Sequence, residues 1–322
     1  MKIALCFIIS YDHILNKEEV WREWIEPNKD IINVYFYYGD ITKITSPWIL
    51  KHTLPIKYIT NTSYYQIIPA YTSLMAYGLS DDSCNQWFCF LTDSCCPIIS
   101  PTKFRYLFYE NFNKSILNWK RAWWNIHFHK RANLARIPEK YWLGNDPWFI
   151  MKRENVIQCL EFIRTNNKLT QVICSGGLAN ESLFAIVLKG FGQLEPNLKN
   201  VISATTHIAD WSRMTSTTSP HIFKDANERD IRFIEENLKR NDYLMFIRKV
   251  AAEFSNDLLK YYIYEVNREK EKKLYIKNMS NSIYYKIKWF LCNYHYLLII
   301  FIILYIYRCQ TVLQQKHHQQ KF

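Results

Sequence analysis

Hydrophobic positions fall into short dense runs near the start of the chain, separated by stretches with helical spacing. Residues 3–9, 32–37 and 87–91 are apolar almost without interruption, the pattern of strands covered on both faces. Residues 17–24 and 64–79 repeat their apolar positions every three or four residues and predict helices. Strand and helix in alternation predict an α/β fold with a mainly parallel central sheet. Further along, residues 154–165 predict a helix with Val156, Leu160 and Ile163 on one face. Residues 180–188 predict another with Glu181 in its first turn, residues 230–238 a third, and residues 243–247 a late strand. The opening MKIALCFIIS resembles a leader, but its apolar stretch is short and has no small-x-small cleavage site. It runs straight into Tyr11-Asp12-His13, and a first buried strand is expected.

The other end of the chain has a different pattern. Residues 289–307 carry no formal charge, and 297–307 are apolar throughout, which predicts a C-terminal hydrophobic helix and a single-pass membrane anchor. Asn293 and His295 interrupt it, and a buried terminal helix is the competing reading. Lys286 and Lys288 border its N-terminal side, so the positive-inside rule places the main domain on the cytosolic side. The expected organisation is one compact domain over residues 1–265, a basic linker over 266–288, the hydrophobic segment over 289–307 and a polar tail over 308–322.

Composition narrows the chemistry. The 322 residues are 49% hydrophobic, enough for a sizeable core and too many for a disordered chain. Seven glycines and ten prolines against 23 Tyr, 19 Phe and 11 Trp exclude low-complexity and glycine-rich phosphate-loop architectures. A formal charge of +12 implies an anionic partner, whether nucleotide, nucleic acid or acidic membrane face. The nine cysteines include no Cys-x-x-Cys and sit in apolar runs, so free buried thiols are expected rather than a disulfide framework.

Several constellations have chemical potential. The run WFCFLTDSCCPIISP, residues 87–101, is a buried strand that ends in Asp93-Ser94 and a proline turn. In open α/β sheets that end faces the ligand crevice, although Asp93 would serve equally as a local cap. Residues 118–142 interleave Lys120, Arg121, Lys130, Arg131, Arg136 and Lys140 with Trp119, Trp123, Trp124 and Trp142. Such a mixture suits single-stranded nucleic acid or a saccharide, and the absence of a nucleic-acid motif favours the saccharide. His127-x-His129 lacks a third ligand and reads as a surface or core pair rather than a zinc site. Beyond these lie Tyr141 to Arg153 (YWLGNDPWFIMKR), Glu181 in LANESLF, Asp210-Trp211-Ser212 with Ser219-Pro220-His221, and the adjacent cations of Phe246-Ile247-Arg248-Lys249. Taken singly, Glu181 is a helix-dipole partner and the two cations a solvated pair.

In this order, the segments KIALCFIIS, FCFLTDSCCPI, YWLGNDPWFIMKR, ANESLFAI, ADWS with SPH, and FIRKV resemble the core-2/I-branching N-acetylglucosaminyltransferase family with its plant, viral and xylosyltransferase-type relatives. The resemblance covers about residues 1–255 and implies a GT-A-like glycosyltransferase fold. It further implies inverting transfer of a sugar, N-acetylglucosamine in the branching enzymes, from a UDP-sugar to a hydroxyl of a glycan or glycoprotein.

The family's catalytic base matches Glu181, although the two residues before it, Ala179 and Asn180, depart from the family's Pro-Asp. One diphosphate-binding cation matches Lys249, with Arg248 as its neighbour. The second falls near Lys224 or Arg229. Asp93 and Ser94 match an Asp-Ser near the nucleotide or acceptor and are expected on the donor side, and Trp211 in Asp210-Trp211-Ser212 matches a tryptophan against the acceptor sugar. Trp148 belongs to the turn in front of the acceptor. Branching members use no metal, and Asp-x-Asp is absent from this sequence, so basic side chains rather than a cofactor are expected on the diphosphate. The expected partners are thus a UDP-sugar, a glycan and, through residues 289–307, a membrane, with no nucleic acid. The competing readings are a xylosyltransferase-type enzyme and a non-catalytic membrane-anchored glycan binder.

Overall fold

A computed structural model describes residues 1–266, apart from Tyr64 and Pro196. The chain falls into two units, Met1–Lys272 and Lys273–Phe322, and every residue described belongs to the first. The predicted C-terminal helix lies outside the described residues. Among the described residues no helix is long and apolar enough to cross a membrane.

The first half of the domain runs β1 (Lys2–Ile8), α1 (Glu18–Ile25), β2 (Ile32–Tyr37), α2 (Pro47–Lys51), α3 (Ile68–Asp81), β3 (Asn85–Thr92), β4 (Cys96–Pro97) and α4 (Pro101–Asn111). Then come β5 (Ser115–Ile116), β6 (Trp119–Arg121), β7 (Leu143–Asn145), β8 (Ile150–Lys152), α5 (Arg153–Thr165), α6 (Asn167–Cys174) and α7 (Leu183–Gly190). The last elements are β9 (Val201–Ile202), β10 (His207–Ile208), α8 (Glu228–Arg240), β11 (Phe246–Ile247) and α9 (Asn256–Tyr264).

The central sheet has the order β2-β1-β3-β8-β5-β9. β1 pairs parallel with both β2 and β3, whereas β8 runs antiparallel to its neighbours β3 and β5. β5 and β9 are parallel to each other, so all strands but β8 share one direction, as a mainly parallel sheet requires. A small sheet, β10-β11-β4, and a two-stranded ribbon, β6-β7, complete the fold.

Alternation along β1 shows why these runs became buried strands. Ala4, Cys6 and Ile8 join a core shared with α3, α5 and α7. Phe7 points the other way and meets the Trp21 ring of α1 edge-on at 4.9 Å. α1 buries Val20, Trp21 and Trp24 on one face, and both indoles donate to carbonyls of the segment after β3, Trp21 to Cys95 at 2.9 Å and Trp24 to Ile99 at 2.7 Å. The seven cysteines among the described residues are all unpaired, and five of them are buried.

Among the boundaries that differ from the sequence reading, two have a plain local cause. The helix expected over 64–79 starts at Ile68, where Pro69 fits the first turn because it has no amide hydrogen to lose there. The late strand contracts to Phe246–Ile247, because Tyr243 N–H is turned back onto the Asn241 side chain at 2.9 Å.

One buried lysine closes the domain. Lys17, 4% exposed, donates from Nζ to the carbonyls of Ala252 (2.7 Å) and Phe254 and to Asn256 Oδ1 (2.9 Å). Beside it Asn16 donates from Nδ2 to Val250 O at 2.8 Å and from its backbone N–H to Asp93 O at 3.0 Å. The segment following β11 is thereby fastened to the end of β3.

Candidate active site

Because β1 and β3 are parallel and in register at Ile8 and Thr92, their carboxyl ends open on the same side. A cleft of about 720 Å³ lies there, lined among others by Ser10, Asp93, Ser94, Lys224, Arg248 and Lys249. The small sheet explains how residues so distant in sequence meet. Ile247 of β11 pairs with Cys96 of β4, and Val250 N–H then donates to Ser94 O at 2.9 Å. Asp93-Ser94 and Arg248-Lys249 therefore form one wall. Of the two candidates for a second cation, Lys224 lines the cleft and Arg229, on α8, does not.

The cations of this wall are not solvated side chains. Arg248 is 6% exposed, lies 3.4 Å over the Trp148 ring and leaves its Nε without a hydrogen-bond partner. Burial lowers its pKa, against the pull of neighbours that include Asp93 and Glu181. Lys249 donates from Nζ to Ser219 Oγ at 2.9 Å, and burial together with Arg248 lowers its pKa as well. Asp93 accepts from Ser94 N–H at 2.7 Å, and burial raises its carboxyl while Arg248 opposes that rise. A guanidinium buried at the lining of a cleft, with Lys249 beside it, makes that wall electropositive.

Glu181 is presented differently from the expectation. Residues 179–181 form a single 3-10 turn, and the helix proper begins after it at Leu183. Leu178 enters the turn in the left-handed region (φ 56°), and Ser182 leaves helical geometry (φ −145°, ψ −43°), so the two segments cannot merge into one helix. Asn145, fully buried at the end of β7, holds the junction. Its Nδ2 donates to Asn180 O at 2.9 Å and its Oδ1 accepts from Ala185 N–H at 3.2 Å.

Arg131 donates from Nη1 to Glu181 Oε2 at 3.1 Å. The Arg131 loop can approach because residue 176 is glycine: a Cβ there would stand 2.4 Å from Lys130 O and 2.5 Å from Asn133 N. Burial raises the Glu181 pKa, Arg131 and Arg248 draw it down, and Asp146 pushes it up. Arg248 and Glu181 both act on the buried Tyr71 hydroxyl, which donates to Pro147 O at 2.6 Å.

Asp210 and Trp211 follow β10, whose end is beside that of β11. The Asp210 carboxylate is 1% exposed and occupied by its own loop. It accepts from Ser212 N–H (2.9 Å), Ser212 Oγ (2.6 Å) and Arg213 Nε (2.5 Å). Trp211 is 45% exposed. Trp148 carries Arg248 on its face. His127 and His129 are exposed, and among the described residues no group of three or more His, Cys, Asp or Glu is gathered for a metal. Arg131, Asn145, Asp146 and Tyr71 had no role in the sequence reading. The first three stand inside segments it singled out, but nothing in their spacing shows that a turn 35 or more residues later returns to them.

A family model described as Core-2/I-Branching enzyme matches residues 40–235, more than half of the chain. The chain belongs to that family. As a Core-2/I-Branching enzyme it is of a glycosyltransferase type, which implies a nucleotide-sugar donor and a glycan acceptor. The match includes Asp93, Glu181 and Trp211, while Arg248 and Lys249 of this Core-2/I-Branching enzyme lie beyond it. Comparison with individually curated proteins finds no match.

Proposed function

We propose that this chain is an inverting glycosyltransferase that moves N-acetylglucosamine from a UDP-sugar to a hydroxyl of a glycan or glycoprotein without a metal. The observation that carries the reading is the buried Arg248, stacked on Trp148, lining the same cleft as Lys249 and Lys224.

The donor diphosphate meets Arg248, Lys249 and Lys224. Asp93 and Ser94 border the same cleft on the donor side. Ionised Glu181 accepts the proton of the acceptor hydroxyl as that oxygen bonds to the anomeric carbon. The bond from the anomeric carbon to the diphosphate oxygen breaks on the opposite face, its electron pair leaves with UDP, and the cations stabilise the charge that develops. General-base catalysis supplies about 10²–10⁴ in rate. Exposed Trp211 offers an apolar face to the acceptor sugar, and Asp210 holds its loop. The uncharged residues 289–307 support a membrane tether, and Lys286 and Lys288 before them favour the cytosolic side for the catalytic domain. Resistance of the full-length protein to carbonate extraction tests the tether, and protease accessibility in sealed vesicles tests its side.

The deciding experiment measures UDP release by the full-length protein over a panel of UDP-sugars and glycan acceptors, with and without EDTA, beside Glu181→Gln. Turnover of UDP-N-acetylglucosamine that survives EDTA and falls at least 100-fold in Glu181→Gln is expected. Preference for UDP-xylose would replace the sugar and keep the mechanism. Glycan binding without turnover by any donor, unchanged in the variant, would leave a binding protein instead.

A further inference from the structure

The ribbon β6-β7 presents a feature that the reaction as proposed leaves unused. Lys120 of β6 stands opposite Gly144 of β7. A Cβ on Gly144 would lie 2.5 Å from Trp123 Cζ3 and 3.0 Å from Trp124 Cζ3, so both indoles rest in the space that the glycine leaves. They meet edge to face at 4.9 Å. Trp123 is nevertheless 50% exposed, a large aromatic surface braced by Gly144 and Trp124, with the Lys120 ammonium lying over its ring. Lys120 Nζ stands 4.7 Å from its ring centroid.

This platform connects to the candidate base. Trp123 packs on Trp124, Arg131 lies 5.3 Å over the Trp124 ring, and the same guanidinium is bonded to Glu181. The charge of the segment is one-sided, with six cations against the single acid Glu139 over residues 118–142, and Arg121 pairs with Glu139. Lys120 forms no ion pair among the described residues. Asp146, on which its charge acts, is engaged by Asn118 Nδ2 at 3.1 Å.

We infer that Lys120 and Trp123, seated on Gly144, form a subsite for an acidic pyranose of the acceptor glycan. The apolar face of the sugar stacks on the exposed part of the Trp123 ring while its carboxylate draws the Lys120 ammonium aside from over that ring, beyond the sugar whose hydroxyl faces Glu181. The inference rests on the transferase reading for the identity of the acceptor. A neutral sugar would use the indole but leave the ammonium idle, and a charge-assisted contact is the stronger of the two. Single-stranded nucleic acid would need a succession of open aromatic faces, whereas Trp124 and Trp142 are only partly exposed.

The test is calorimetric titration of the full-length protein with a tetrasaccharide of alternating uronate and N-acetylhexosamine, and with the same tetrasaccharide after carboxyl reduction. The acidic form should bind at least tenfold more tightly. Lys120→Gln should bring the two affinities together, and Trp123→Ala or Gly144→Ala should weaken both. Equal affinities in the unmodified protein, no change in Lys120→Gln, or equally tight binding of a single-stranded oligonucleotide of the same charge would overturn the subsite. UDP titrated into the same samples checks that each variant is folded. Absence of UDP binding in the unmodified protein would count against the transferase reading while leaving the saccharide comparison to stand or fall by itself.

Discussion

Arg131 and Glu181 form an ion pair at 3.1 Å in which both side chains are largely buried, and Glu181, as the proposed base, would have to be ionised to take a proton. Burial raises the pKa of this carboxyl and Arg131 restrains the rise. Replacing Arg131 with Met removes the restraint, so the Glu181 pKa moves further up. The acid limb of the kcat/KM profile should then shift to higher pH, with about a tenfold loss on that limb that recovers as the pH rises. A uniform loss at every pH would show that Arg131 does not set the ionisation of Glu181.

Gly176→Ala should reproduce that shift without touching either charge. The added Cβ meets backbone atoms of Lys130, Ala132 and Asn133, which cannot turn aside as a side chain could. The loop must withdraw and take Arg131 with it. Parallel pH profiles for Gly176→Ala and Arg131→Met are the expected result.

Asn145→Ala deprives Asn180 O and Ala185 N–H of their side-chain partner. A stability loss of roughly 1–3 kcal/mol is expected from thermal or urea unfolding. Since the cleft cations are held elsewhere, kcat should fall while UDP affinity stays within about twofold. Equal damage to both would mean that Asn145 supports the whole site and not the Glu181 turn.

Trp148→Leu removes the ring under Arg248. A desolvated cation–π contact is worth about 2 kcal/mol, so UDP should bind some thirtyfold more weakly. Trp148→Phe should recover part of the affinity. Calorimetric titration with UDP distinguishes these outcomes, and unchanged affinity in Trp148→Leu would leave Arg248 positioned by its backbone alone.

Acid should weaken the fold through Asp82. Burial raises this carboxyl, but Lys2 at 2.9 Å, the Asn33 amide and Cys84 N–H outweigh it and bring the pKa down to about 2. A group depressed in the folded state stabilises it above the unfolded pKa, and the benefit disappears as pH falls through the folded value. Between about pH 4 and pH 2 the wild type should lose on the order of 1 kcal/mol that Asp82→Asn never had, since solvent screens the partly open pair. Unfolding curves of the two proteins should converge at the acid end.

The parts of the fold written in local hydrophobic pattern were legible before any coordinates. Ile32–Tyr37 has the bounds that its apolar run predicts, and α1 and α5 begin within a residue of theirs. Short elements were not legible, because a two-residue strand such as β4 or β9 is made by its partners and leaves no periodicity of its own. The reversed direction of β8 is equally silent in sequence, since a buried strand looks alike either way. At the candidate site, resemblance singled out Glu181, Arg248 and Lys249, and the backbone places the two cations in one cleft with Asp93 and Ser94. LANESLF predicts a helix carrying Glu181, whereas the residue sits on a 3-10 turn ahead of it. The left-handed Leu178 and the grip of Asn145 depend on neighbours that the local pattern does not contain. Arg131 was visible as one cation among six, and its pairing with Glu181 needs the loop packed on Gly176.

The Lys17 clamp gives the domain a late closing step. Its acceptors lie 235–239 residues further along the chain, so throughout synthesis the ammonium and its neighbouring β1-β2-β3 block stay without them until residue 256 has been made. A chain emerging from the ribosome holds an unfinished cleft until its last described elements are made, and the wall of Asp93-Ser94 and Arg248-Lys249 is completed as the lysine is sheltered. Nascent fragments halted before residue 248 have neither the Arg248-Lys249 pair nor the means to bury Lys17, so the cleft and the burial of Lys17 are completed within a few residues of each other.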